Sequence, residues 1–461
     1  MGKYKRLAIN TIIFAIASFS SKLLSFLMLP LYTNILSTED YGVVDIVLQT
    51  CNLLIPLASV GIINAIIRFG LEKTADKKGV LTIGCITLGS GFVVLLLFAP
   101  LLYKVEVLAP YVPYMYLLIL MSCAHGLFSQ FARAIGYVKF YAVDGVLSTI
   151  LTIGLNVLFL AVLDMGIEGY LLATILTDML CAVLDFLFVQ MYRYLNIKRV
   201  ARSLWVSMLA YCIPLIPNTI CTWIMSISSR YILLGSFGES ETGIFAVANK
   251  IPTILMIVAN IFSEAWQISA VTEEEGRDAF FTRICSLYQA LAFTVASGLI
   301  LFSQLAVRIL AAPDYYSAWQ YIPPLVIGTT FGCISTFLAS IYMINRKSVY
   351  TLMTTAIAAV LNIALGICFV QAFGAIGVAY ATAISYFVQF AIRAVHTRNI
   401  VKISWNLPRL FANVLLLLGQ TIVMLSQIKG YLLVSAVLLL AVFVLNVKDV
   451  LALVRQKVKK G

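Results

Sequence analysis

Runs of about 20 apolar residues, the length an α-helix needs to cross a bilayer core, recur from one end of this chain to the other. Lipid offers no hydrogen-bond partners to the backbone. A chain of such runs therefore has to fold as helices that satisfy their own amide groups. Of the 461 residues, 62% are hydrophobic and 11% charged, against about 25% charged in soluble domains. Hydropathy places about 14 spans, centred near Ser20, Ile55, Val93, Ser122, Ile153, Leu180, Thr219, Ile257, Thr294, Gly332, Leu361, Ser385, Leu417 and Leu438. The loops are too short for a folded soluble domain. The basic, apolar start, MGKYKRLAIN, lacks a small-x-small cleavage site and runs on to Leu36, so it reads as a retained first helix.

The cations set the orientation. With the N-terminus inside, most of the 32 lysines and arginines fall on the inner side, from Lys3, Lys5 and Arg6 through Arg68, Lys73, Lys77 and Lys78 to Arg393, Arg398, Lys402 and Arg409 after the twelfth span. The outer loops hold Lys104, Arg308 and Lys429, while Lys22, Arg230 and Lys250 lie inside spans. This is the positive-inside pattern, so the net charge of +12 faces anionic inner-leaflet lipid. Basic residues spread over eight inner segments do not make a nucleic-acid surface. The nine cysteines show no CxxC spacing and read as packing residues. With two histidines, His125 and His396, no histidine-rich metal site is expected, and no cofactor is implied.

The two halves echo each other about 200–209 residues apart. Glu39-Asp40-Tyr41-Gly42-Val43 answers Ser240-Glu241-Thr242-Gly243-Ile244, and Leu155-Asn156 answers Leu361-Asn362. Gly166-Ile-Glu-Gly169 answers Gly374-Ala-Ile-Gly377, and Ala173-Thr174 answers Ala381-Thr382. Each repeat has an even number of spans, so the repeats run parallel. The expected architecture is all-α: a six-helix bundle over 1–200, a second over 201–400, and two extra helices with a basic cytoplasmic tail over 401–461. Two bundles related by an axis along the membrane normal enclose a central cavity and can rock to open it to either side. Prolines at 30, 56, 214, 217 and 252 permit bends in the spans.

Polar residues in the spans recur at helical spacing. The second span presents Asp45, Gln49, Asn52 and Ser59, and the eighth Asn249, Thr253, Asn260, Glu264 and Gln267 beside Lys250. The thirteenth and fourteenth spans have thin polar content, as lipid-facing helices do. Hydroxyls and amides also serve as glue between helices, but intramembrane charges point to function. Lys22 lies too deep for its stem to reach either surface, so it faces water in a cavity or pairs with a carboxylate. Arg230, near the outer end of its span, either lines the cavity or snorkels. Asp178 is the deepest carboxylate, on a stripe with Thr174, Cys181 and Asp185 at i, i+4, i+7 and i+11. It is read as an ion-coupling group or as the partner of an intramembrane cation. Asp45, Asp144 and Glu264 lie nearer helix ends and read as gate or interface residues.

Ser20-Ser21-Lys22, Pro30-Leu31-Tyr32 and Glu39-Asp40-Tyr41-Gly42 resemble the opening of the Wzx-type polysaccharide and O-antigen flippases, in the multidrug/oligosaccharidyl-lipid/polysaccharide exporter superfamily. Gly235-Ser-Phe-Gly238 followed by Thr242 to Lys250 resembles that family's seventh-to-eighth helix connection. The resemblance implies a bacterial cytoplasmic-membrane protein moving undecaprenyl-pyrophosphate-linked oligosaccharide to the outer leaflet by ion-coupled antiport. The coupling ion would be H+ or Na+, carried by Asp178, Asp185, Asp45 or Glu264. Lys22, Lys250 and Arg230 would meet the diphosphate, and Gln49, Asn52, Thr253 and Asn260 the sugars. A polysaccharide polymerase and glycosyltransferases are implied as partners. The alternative within the superfamily is a multidrug antiporter for organic cations, kept open by Asp45 and Asp178. A glycan-building enzyme would need a large outer loop with paired catalytic groups, which this chain lacks.

Overall fold

The computed structural model describes Phe26 and residues 28–72, 76–259, 277–344 and 349–460. Eleven helices among the described residues are long and apolar enough to span a membrane. One of these stretches, Arg202–Ala259, is 58 residues long and covers both the seventh and the eighth expected spans. Most of the first expected span lies outside the described residues. The chain divides into two compact units, Met1–Ile227 and Ser228–Gly461. Residues 201–227 therefore fold with the first unit.

The first unit contains α1 (Leu29–Ile35), α2 (Thr38–Ala58), α3 (Ile62–Gly70), α4 (Lys77–Leu96), α5 (Val112–Ala134), α6 (Val138–Asn156), α7 (Gly166–Phe188) and α8 (Arg202–Cys212). Ser37 caps α2 by accepting from the Asp40 amide at 3.0 Å, and Glu39 and Asp40 occupy the first turn, where acids complement the helix dipole. Helices α5 and α7 pack side by side, with α6 against both. α6 carries a lipid-type surface: Val143, Val146 and Ile150 are exposed.

α9 (Ile216–Lys250) crosses the boundary between the units and is bent at Gly238, whose φ of 84° and ψ of −171° are open essentially to glycine alone. The second unit continues with α10 (Arg277–Leu301), α11 (Ser303–Leu310), α12 (Ile322–Ile344), α13 (Val349–Phe373), α14 (Ile376–His396), α15 (Leu407–Ser426) and α16 (Tyr431–Lys460). α12 and α14 pair as α5 and α7 do, and α13 lies against α14 as α6 does against α7. The prolines mark helix starts and breaks. Pro30 opens α1, Pro214 lies in the turn between α8 and α9, Pro217 opens α9, and Pro252 follows its end. Pro56 alone sits inside a helix.

The repeated glycine pairs adopt matching backbones. Gly166 and Gly374 have φ of +56° and +70°, and three residues on, Gly169 and Gly377 lie against the backbone carbonyls of Phe159 and Phe369. A Cβ at Gly377 would stand 2.1 Å from the Phe369 oxygen, and one at Gly169 3.1 Å from that of Phe159. Asn156 and Asn362, the next repeated pair, are both buried.

The last two helices concentrate their few polar residues on the inner face. Gln420 accepts from Ser297 Oγ on α10 (2.7 Å) and donates to Ser435 Oγ on α16 (2.9 Å). Asn413 and Asn446 bond each other across α15 and α16. Lipid-facing residues such as Phe411, Leu415 and Ile422 form the opposite face of α15.

Candidate functional site

The densest group of titratable side chains among the described residues lies in the first unit, where α5, α6 and α7 meet. His125 stands on α5, one turn from Ser122. Asp144 comes from α6. Asp178, Cys181 and Asp185 come from one face of α7, at the i, i+3, i+7 spacing that stacks side chains along a helix. His125 Nδ1 is 3.0 Å from Asp178 Oδ1, and Nε2 is 3.0 Å from Asp144 Oδ2. Ser122 Oγ donates to the second oxygen of Asp178, and the Cys181 thiol contacts Asp144.

Neutral imidazole has one donor and one acceptor nitrogen. A carboxylate at each nitrogen therefore demands a doubly protonated ring, or a proton on one of the acids. Asp185 completes the group. It is 0% exposed, acts electrostatically on Asp144 and His125, and neither of its oxygens has a hydrogen-bond partner. Exposure falls along the cluster, from 19% at Asp178 and 16% at His125 to 6% at Asp144.

His125, Asp144 and Cys181 each bring a potential ligand atom within 4.8 Å of the others. The 3.0 Å separation of Nε2 and Oδ2 is that of a hydrogen bond. Tetrahedral zinc, with bonds of about 2.0–2.1 Å, would hold them roughly 3.3 Å apart.

The position equivalent to Asp185 in the second repeat, by the Gly166/Gly374 and Ala173/Ala381 register, is Arg393. Arg393 is 3% exposed and fully engaged. Nε donates to Thr354 Oγ1 (2.8 Å), Nη1 to the Ser335 carbonyl (2.9 Å), and Nη2 to Thr355 Oγ1 (2.9 Å) and the Thr351 carbonyl (3.3 Å). The positive-inside count places Arg393 beyond the twelfth span. The structure puts it in the last turn of α14, inside the bundle.

The expected site residues fall as follows. Asp178 and Asp185 belong to the cluster. Asp144, expected as a gate or interface residue, joins them, because α6 turns it toward α7. His125 was missed; its signal in the sequence is a lone histidine in mid-span. Asp45 is buried on α2 and accepts from Gln49 Nε2 at 3.4 Å, with Asn52 half-buried on the same helix. In the second unit Arg230 is buried, Lys250 is half-buried at the end of α9, and the Thr253 hydroxyl donates to the Lys250 carbonyl. Lys22, Asn260 and Glu264 lie outside the described residues.

Among the described residues, helices of bilayer length with no strand define the class of polytopic helical membrane proteins. The chain belongs to the polysaccharide biosynthesis protein family, whose profile matches residues 7–267. Among curated proteins no sequence matches. Solved structures share the fold at low identity. An inward-facing multidrug resistance MATE transporter of the MOP superfamily is 15% identical over 84% of this chain and 98% of its own, with a TM-score of 0.69. The lipid II flippase MurJ in an inward closed conformation is 14% identical over 94% of this chain and 98% of its own, with a TM-score of 0.65. An outward-facing MATE transporter is 16% identical over 86% and 96%, with a TM-score of 0.63.

Proposed function

We propose that the protein moves undecaprenyl-pyrophosphate-linked oligosaccharide from the inner to the outer leaflet of the bacterial cytoplasmic membrane by ion-coupled alternating access. The observation that carries this reading is the family match, polysaccharide biosynthesis, on a chain whose fold is that of a lipid-carrier flippase over nearly its whole length. A diphosphate cannot cross hydrocarbon with its hydration shell. Lys22, Lys250 and Arg230 replace that shell in a wet cleft, while Gln49, Asn52, Thr253 and Asn260 meet sugar hydroxyls and the polyprenyl tail stays in lipid. The carboxylates of the first unit carry the coupling ion. With its termini in the cytoplasm, the protein hands its cargo from glycosyltransferases to a polymerase.

The test is flipping of a fluorescent undecaprenyl-pyrophosphate saccharide in proteoliposomes. Lys22→Ala and Lys250→Ala should each reduce it by tenfold or more while leaving the protein folded, and normal flipping by both would remove the cationic site. The MATE likeness favours a second reading, export of organic cations. Transport of a cationic dye, with no flipping of the saccharide lipid, would select it.

A further inference from the structure

We propose that the coupling ion is a proton, and that it moves through the His125 cluster between the partly exposed Asp178 and the buried Asp185; this rests on the ion-coupled flippase reading above. Three observations carry it. First, a sodium ion needs several oxygen ligands, carboxylates or carbonyls. Between Asp144 and Asp178 that space is filled by an imidazole ring at 3.0 Å from each, a group that binds protons. Second, Asp185 is fully buried with both oxygens unpartnered. An ionised carboxylate in such a place is costly, and a proton removes the charge. Third, the repeat-equivalent Arg393 donates four hydrogen bonds, so the fold can satisfy a charge at this position. In the first unit it leaves the carboxyl bare.

The groups around the ring come from every packed helix. α5 itself adds Cys123, whose thiol points at the Ile55 carbonyl, and Arg133, which lies over the Tyr141 ring. α6 brings Asp144, and α7 brings Asp178, Cys181 and Asp185. On α2, Asp45 is held by Gln49. On α3, Arg68 pairs with Glu72, and on α4, Lys77 bonds the Glu72 carbonyl. At rest Asp185 is a neutral carboxyl and the ring carries a proton on each nitrogen. Nδ1–H passes to the Asp178 carboxylate, which releases that proton to water. A side-chain rotation that brings Asp185 within hydrogen-bond reach of Asp144 then lets it hand its proton to the Asp144 carboxylate. In the opposite-facing state a proton from water returns through Asp178 to Nδ1, and Asp144 gives its proton back to Asp185, so one proton leaves and one enters per cycle.

The experiment is an infrared pH titration of the full protein in nanodiscs, with ring-nitrogen NMR of the 15N-histidine-labelled protein. The chain has only two histidines, and His396→Gln assigns the second. A protonated-carboxyl band that disappears as pH rises, is absent in Asp185→Asn, and is unmoved when Na+ replaces K+ is the expected result. His125 should be doubly protonated while that band is present. A band unchanged in Asp185→Asn, displacement of the band by Na+, or a singly protonated His125 at pH 6 would overturn the proposal. In proteoliposomes, Asp185→Asn and His125→Asn should lose flipping driven by a pH gradient. Normal gradient-driven flipping by both variants would remove the coupling role and leave the flippase standing. The flippase reading itself falls only if the unaltered protein moves no saccharide lipid.

Discussion

At the scale of single residues, the two buried ionisable groups at matched sequence positions, Arg393 and Asp185, behave oppositely. Arg393 is saturated by two hydroxyls and two carbonyls. Arg393→Met strands those acceptors and should cost about 2–4 kcal/mol, read as a lower thermal midpoint in detergent. Asp185 makes no hydrogen bond. Asp185→Leu should leave stability unchanged or raise it by about 1–3 kcal/mol, with the same measurement moving up while gradient-driven transport is lost. A site that gives up stability for activity shows this pairing. Part of the arrangement was legible in the sequence: Asp178, Cys181 and Asp185 announce a shared face by spacing alone. The role of His125 was not. Its partners sit 19 and 53 positions away on other helices, and no periodicity within one helix reveals how three helices rotate against each other. Arg393 misled for a related reason. Counting cations near helix ends fixes orientation, yet does not say whether a side chain turns to water or inward.

At the scale of elements, the glycines paired by sequence differ in how closely a neighbouring backbone approaches them. A Cβ at Gly377 would meet a backbone oxygen at 2.1 Å, and one at Gly169 would meet the Met165 Cβ at 2.8 Å. Both alanine variants should therefore destabilise, Gly377→Ala more than Gly169→Ala, a difference visible in the yield of folded, monodisperse protein. The sequence showed the pairs but not the asymmetry, which depends on how closely each preceding helix ends. The terminal helices teach the same lesson. Their thin polar content fits their outer faces, but Gln420 joins α10, α15 and α16 through Ser297 and Ser435. Gln420→Leu should cost about 1–2 kcal/mol, typical of interhelical hydrogen bonds in membranes, measured by thermal unfolding.

At the scale of the molecule, hydropathy and charge bias were enough for the all-helical class, because lipid leaves a spanning chain so few options. The boundary between units was less legible. It falls at Ile227 and Ser228, beyond the loop at 200, because α8 packs onto α3 and α4 of the first unit. Sequence separation between repeats does not report where a connecting helix lodges. The sequence register also pairs an acid in one half, Asp185, with a base in the other, Arg393. A tandem of two first halves would bury a second bare acid, and a tandem of two second halves a second guanidinium in place of the proton-accepting group. If the proposed proton route holds, neither half can substitute for the other, and a gene fusion that swaps them should yield a folded shell deaf to the gradient across it.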